Sequence, residues 1–203
     1  EGSVHGAALQ RGNGKAANCV DCHGSHEMKK GSDASSRVAK ANIPHTCAKC
    51  HSGIADEFNY SVHGLAVKNG NMSAPVCTDC HGEHNIMKAS DPSSPVAARN
   101  VSSQVCSPCH SSVKLNQKFG LASDRFKSFS DSYHGLAGQA GSVQVANCAS
   151  CHGVHDIKRS SDPSSRINKA NLVKTCGTCH PGANENFTKG AVHIVASEKK
   201  DDI

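Results

Sequence analysis

The chain has 203 residues, with 12 Cys, 14 His, five Phe, two Tyr and no Trp. Leu, Ile, Val and Phe together number 34 of the 203 residues, about 17%, below the roughly 20% under which chains tend not to fold alone. The net charge of +5 is too small to attribute that deficit to charge-driven disorder. An ordinary enzyme core, an aromatic-rich sandwich and a collagen-like or acidic-tail protein are thereby excluded, and something other than side chains must furnish the interior.

In chain order the sequence matches itself three times. Segment 1–60 opens on SVHG (Ser3–Gly6) and carries CVDCH, GSDASSRV and CAKCH. Segment 61–131 opens on SVHG (Ser61–Gly64) and carries CTDCH, ASDPSSPV and CSPCH. Segment 132–203 opens on SYHG (Ser132–Gly135), carries CASCH, SSDPSSRI and CGTCH, and ends in a segment whose His193 stands where a further repeat would begin. In each repeat the opening His lies 14 residues before the first Cys, and another His follows the first motif's His by three: His26, His84 and His155. Residues 111–131 form an insertion, expected to be a surface loop or extra helix.

All 12 Cys fall in six C-x-x-C-H motifs: Cys19, Cys22 and His23; Cys47, Cys50 and His51; Cys77, Cys80 and His81; Cys106, Cys109 and His110; Cys148, Cys151 and His152; Cys176, Cys179 and His180. C-x-x-C-H is the signature of c-type haem attachment, with the two thiols adding to the vinyl groups and the adjacent His becoming the proximal iron ligand. Structural zinc or disulfides would also use paired Cys, but neither requires a His after every second Cys, and six such coincidences have a probability of roughly 10⁻⁷. The implied cofactors are six covalently bound c-type haems. At about 34 residues per haem no independent domains are possible, so the porphyrins would have to be the core. Their propionates would bring the holoprotein to about −7, which removes the case for a nucleic-acid partner.

Six irons also need distal ligands. The recurrent candidates are His5 and His26, His63 and His84, and His134 and His155. His45 and His193 are additional. Two imidazoles per iron give a low-spin centre of fairly low potential with no open position, which suits electron transfer rather than catalysis. Met28 and Met87 are weaker candidates, since they recur in only two repeats. If each opening His serves the haem after it, His193 is spare; if it serves the haem before it, His5 is spare. A spare ligand at one end of a repeat array suits a neighbouring copy.

The expected fold is mostly coil with short α-helices wrapped around a haem stack, as three dihaem repeats with little or no β-sheet. Asp33, Asp91 and Asp162 read as helix N-caps, with Pro92 and Pro163 at the first helical position. One or two helical turns are expected around Phe58 and Phe129. No apolar run approaches the ~20 residues a membrane helix needs; the longest, Ala191–Ala196, is short and contains His193. The opening residue Glu1 fits a processed secreted polypeptide.

Carried by SVHG…CxxCHGxH…CxxCH over nearly the whole chain, the sequence resembles multihaem c-type cytochromes of the c3/NapC-like superclass. Within that class it is similar to extracellular cytochromes that polymerise into conductive filaments. The resemblance implies little regular structure, bis-histidine haems in a continuous stack, and an extracellular or cell-surface location. It also implies a homopolymer in which a His, here His5 or His193, crosses to the next subunit, and partners that are redox proteins or extracellular electron acceptors. A soluble periplasmic shuttle and a multihaem oxidoreductase of nitrogen or sulfur oxyanions are the alternatives. All six motifs keep His, whereas the class's nitrite reductases replace one with Lys, so the chain is not expected to be an enzyme.

Overall fold

The computed structural model describes residues 2–122, 124–190 and 192–193. Helix occupies 46% of the chain, and there is no strand or sheet among the described residues. The longest helix, Ser52–Asn59, has eight residues, short of the ~12 at which a helix begins to hold on its own in water. Such segments depend on their caps and on what packs against them. None of them is long and apolar enough to cross a membrane.

The opening element of each repeat shows how the caps work. Ser3, Ser61 and Ser132 sit at the N-cap, and their Oγ atoms accept from the backbone N–H of Gly6, Gly64 and Gly135 at 3.1, 3.0 and 3.2 Å. The hydroxyl satisfies an N–H that has no partner within its own helix. The helices Val4–Gln10, Val62–Lys68 and Tyr133–Gln139 follow, each with its His as the second residue. The Gly after that His has a steric reason. A Cβ on Gly64 would lie 2.0 Å from the Phe58 carbonyl oxygen, and one on Gly135 would lie 2.1 Å from that of Phe129. The preceding helices, Ser52–Asn59 and Arg125–Ser130, end against these glycines.

The aspartates expected to cap helices cap turns instead. From Asp33 the chain runs through successive i→i+3 bonds: Ser36 N–H to Asp33 O, Ala39 N–H to Ser36 O, and Asn42 N–H to Ala39 O. The Asp33 carboxylate accepts from both the backbone N–H and the hydroxyl of Ser35, which holds its carboxyl below the ordinary range. Asp91 with Ser93 and Asp162 with Ser164 repeat the arrangement. In such Asp- and Ser-rich stretches side-chain oxygens compete with the helical ladder, and here they win. Regular helix resumes only at Ile43 and Leu172, while the middle repeat passes through a π-helical stretch, Val101–Cys106.

The insertion is helical. Ser112 caps Val113–Phe119, and Gly120, at φ 63°, ends that helix in the left-handed region. Buried Asn116 donates its amide to the His110 carbonyl at 2.9 Å.

The chain divides into two compact units, residues 1–97 with 154–158 and residues 98–153 with 159–203. In the first unit the buried apolar cluster is small: Ile43, Val67, Ala74 and Val76, with Val38, Phe58 and Ala66 against it. Much of the remaining order is polar. Asn42 spans Ala34 O and Ser36 O, and Thr46 reaches Arg37 O. Asn171 and Thr175 make the equivalent bonds in the second unit, to Pro163 O, Ser165 O and Arg166 O. Meanwhile Tyr60, Tyr133, Met28 and Val154 are 75, 81, 59 and 61% exposed, so large apolar side chains are spent outside the peptide core.

Two glycine variants test this packing. Gly64→Ala is expected to lower the melting temperature, by the equivalent of about 1–3 kcal/mol, because backbone rather than a movable side chain blocks the new methyl group. Gly53→Ala adds a methyl group with nothing within 4 Å and is expected to be neutral or stabilising by up to about 1 kcal/mol. Thermal unfolding of the two variants side by side checks both.

Candidate metal centres

The first C-x-x-C-H motif of each repeat is a five-residue helix: Cys19–His23, Cys77–His81 and Cys148–His152. The two residues between the cysteines are part of its frame. Asp21 accepts from Asn18 N–H at 2.8 Å, Asp79 from Val76 N–H at 2.7 Å, and Ser150 from Asn147 N–H at 3.1 Å. Each helix stops at a glycine, Gly24, Gly82 or Gly153, at φ 80°, 80° and 87° with ψ close to 180°. That backbone region is essentially open to Gly alone. It turns the chain sharply between the proximal-type His and the His three residues later, which explains the G in C-H-G-x-H. The second motifs are built differently, with Cys47 and Cys176 inside the helices Ile43–Ala48 and Leu172–Gly177.

The histidines then come together in pairs. His5 faces His51 with ring centroids 6.2 Å apart, His23 faces His84 at 5.9 Å, and His81 faces His155 at 6.1 Å. In the second unit His134 faces His180 at 6.1 Å, and His152 faces His193 at 6.2 Å. Every pair joins one C-x-x-C-H histidine to one from outside the motifs. Ordinary aromatic contacts scatter over roughly 4.5–7 Å between centroids; these five fall within 0.3 Å of one another. An imidazole nitrogen binds a transition metal at about 2 Å, and the centroid lies about 1.1 Å beyond it, so two imidazoles on opposite sides of one ion stand about 6.2 Å apart. The observed spacing therefore fits a metal held between two imidazoles, with the rest of its coordination supplied by something other than protein. Among the described residues no group of three or more His, Cys, Asp or Glu is placed to hold a bare ion, and none of the twelve cysteines is joined in a disulfide.

Burial favours the neutral, ligating form of several rings. Desolvation lowers the pKa of His81, assisted by His155 and His51, and that of His152, assisted by His193 and His110. Desolvation alone lowers that of His110. His193 is lowered by desolvation and then by the Arg125 cation. Its Nδ1 lies 3.1 Å from Ser128 Oγ, an interaction that orients the ring. Phe187 packs on His180 at 5.0 Å between centroids.

The thiols reveal the order of the motifs. The Cys47 and Cys77 thiols hydrogen-bond to each other, which brings Cys47 down to about 7 and pushes Cys77 up. Cys22 is raised by burial and then by the proximity of Cys47, and Lys49 Nζ reaches Asp21 O at 3.5 Å. In the second unit a hydrogen bond with Cys106 brings Cys148 down to about 7, and Cys151 is raised by burial and then by Cys176. Within each unit the motifs are thus neighbours in the order in which the chain presents them.

Placed against the sequence reading, seven candidate distal histidines divide as follows. His5, His84, His134, His155 and His193 each face a motif histidine. His63 and His110 are both engaged in interactions. His26 is exposed and meets no ring among the described residues, and His45 is exposed as well. Two features were not anticipated. His84 and His155 face the first motif of the preceding repeat rather than a motif of their own. His193, read as a repeat-opening His, faces His152 in the manner of His84 and His155. The signal available in sequence was the residue two positions further on: Ile86, Ile157 and Val195 follow His84, His155 and His193 at the same offset.

No protein-family model, curated protein or solved structure matches this chain.

Gly82→Ala tests the turn that separates the two ligand types. The variant is expected to lose about 1–3 kcal/mol, since an L-residue there is strained by its backbone alone. The same strain is expected to move His84 away from His23, read as a change in the signals of those two imidazoles alongside the melting curve.

Proposed function

We propose that this chain is an electron-transfer protein carrying six c-type haems, attached through its twelve cysteines and each held between two histidines. The observation that carries the reading is the set of five imidazole pairs, each at the spacing two axial ligands need, and each combining a motif histidine with a distant one. Bound haem supplies one-electron chemistry at iron. The residues do the rest. Cysteine thiols fix position, motif histidines hold one side, and His5, His84, His134, His155 and His193 close the other.

His63 stands 47 residues before His110, as His5 stands 46 before His51 and His134 stands 46 before His180. By that register we count His63 with His5 and His134 as ligands of the second-motif type. Imidazole on both sides leaves no position for a substrate, which favours electron transfer over chemistry on nitrogen or sulfur oxyanions. Within each unit, the sequential adjacency of the motifs supports passage of electrons from one centre to the next in chain order. It also supports a description as dihaem repeats wrapped on a haem string, with the exposed apolar side chains as surface available to the macrocycles.

By resemblance we assign the site of action to the extracellular space or cell surface, with the periplasm as the alternative. The partners would be other redox proteins, extracellular acceptors or further copies of the chain.

Two measurements test this. Mass spectrometry of the native polypeptide is expected to show a gain of six haem masses; a bare or zinc-loaded chain overturns the proposal. Electron paramagnetic resonance of the oxidised protein is expected to contain low-spin ferric signals only. His134→Ala, which removes the ring opposite His180, is expected to convert one centre in six to high spin while the mass gain stays at six.

A further inference from the structure

Two backbone bonds join segments that carry histidines of different centres. Val4 N–H donates to the Ile86 carbonyl at 2.8 Å, and Val62 N–H donates to the Ile157 carbonyl at 2.8 Å. Val4 directly precedes His5, whose ring faces His51. Ile86 stands two residues after His84, whose ring faces His23. The bond therefore ties the distal histidine of the His51 centre to that of the His23 centre. The close approach extends one step further, since a Cβ on Gly2 would lie 3.1 Å from Asn85 Oδ1. On the motif side the same two centres meet again, where Lys49 Nζ reaches Asp21 O at 3.5 Å.

The donors are ones that their helices leave over. Val4 and Val62 are the first residues of Val4–Gln10 and Val62–Lys68, and the N–H groups of a first turn have no acceptor within their own helix. The Ser3 and Ser61 hydroxyls accept from Gly6 and Gly64 instead. The acceptors belong to half-buried residues outside any helix, where a carbonyl without a partner costs about 1–3 kcal/mol. No side chain takes part in either bond.

We propose that Val4 N–H and the Ile86 carbonyl are a positioning pair that sets His5 and His84 together, so that the distal imidazoles of two neighbouring centres take their orientations as one unit. The inference rests on the haem reading above. The lever is short, because the tie stands one residue from His5 and two from His84. What orients an axial imidazole tunes the iron it binds, in potential and in its low-spin signal. Val62 and Ile157 repeat the device for His155, which faces His81, and for His63.

The test removes the N–H alone, in the haem-loaded chain. Proline is tolerated at the first position of a helix. Ser3, extended at φ −83° and ψ 160°, already has the backbone that a residue before proline requires. Val4→Pro therefore deletes the donor and keeps the helix, whereas Val4→Ala keeps the donor and removes most of the side chain. Redox titration followed by paramagnetic resonance reads the centres, and the low-spin signals lost in His5→Ala and in His84→Ala identify the two concerned. Val4→Pro is expected to keep six haem masses and all centres low-spin while shifting the potentials and signals of those two. Val4→Ala is expected to match the parent, and Val62→Pro to shift the His63 and His155 centres instead. The inference is overturned by no shift in Val4→Pro, by a shift confined to one of the two centres or shared equally by all six, by the same shift in Val4→Ala, or by loss of haem from both proline variants. A parent chain with no haem mass fails the functional reading instead, so the two failures are distinguishable.

Discussion

Two imidazoles facing each other at about 6 Å, one following a pair of cysteines and one arriving from elsewhere in the chain, are the constraint on which this molecule is organised. The spacing lies within the range of ordinary ring contacts and also suits an ion between the rings. Five such pairs occur among the described residues. Their members are 41 to 74 residues apart in sequence, so each pair closes a long loop of the polypeptide. Where an ordinary domain gathers distant segments by burying apolar side chains, this chain gathers them at histidines.

The scarcity of apolar residues explains the character of the rest. With the buried apolar cluster reduced to Ile43, Val67, Ala74 and Val76, the backbone is held locally by side-chain oxygens and amides. Serine caps start the opening helices, aspartate–serine pairs tighten the turns, and Asn42 and Asn171 tie two carbonyls each. Glycines appear where the chain must bend beyond what a side chain allows, at Gly24, Gly82 and Gly153, or where another strand of backbone passes close, at Gly64 and Gly135. These devices fix short segments well. They do not supply a large interior, and Tyr60, Tyr133 and Val154 stay exposed.

The interlocking of repeats gives the array its direction. His84 and His155 reach back to the first motif of the preceding repeat, whereas His152 of the third repeat meets His193 of its own. Residues 154–158 accordingly group with the first compact unit and not with the segment that encodes them. Such an arrangement couples the stability of neighbouring repeats in the manner of other repeat proteins, where interfaces contribute as much as the units.

Much of this was legible from residue types and spacing. The six C-x-x-C-H motifs, the threefold repeat in sequence and the short helices without strand among the described residues follow from local chemistry: a motif that needs adjacent residues must be contiguous, and a repeat must recur. What the tertiary structure decided is which distant histidine meets which motif. It placed His84 on His23 and His155 on His81, found a partner for both His5 and His193, and left His26 as the unmatched one. It also turned Asp33, Asp91 and Asp162 from helix caps into turn caps, since competition between side-chain and backbone acceptors depends on where the chain must go next. Pairing across 41 to 74 residues is not fixed by the residues next to each histidine, because an imidazole at a given position is the same ligand whichever partner the fold brings opposite it.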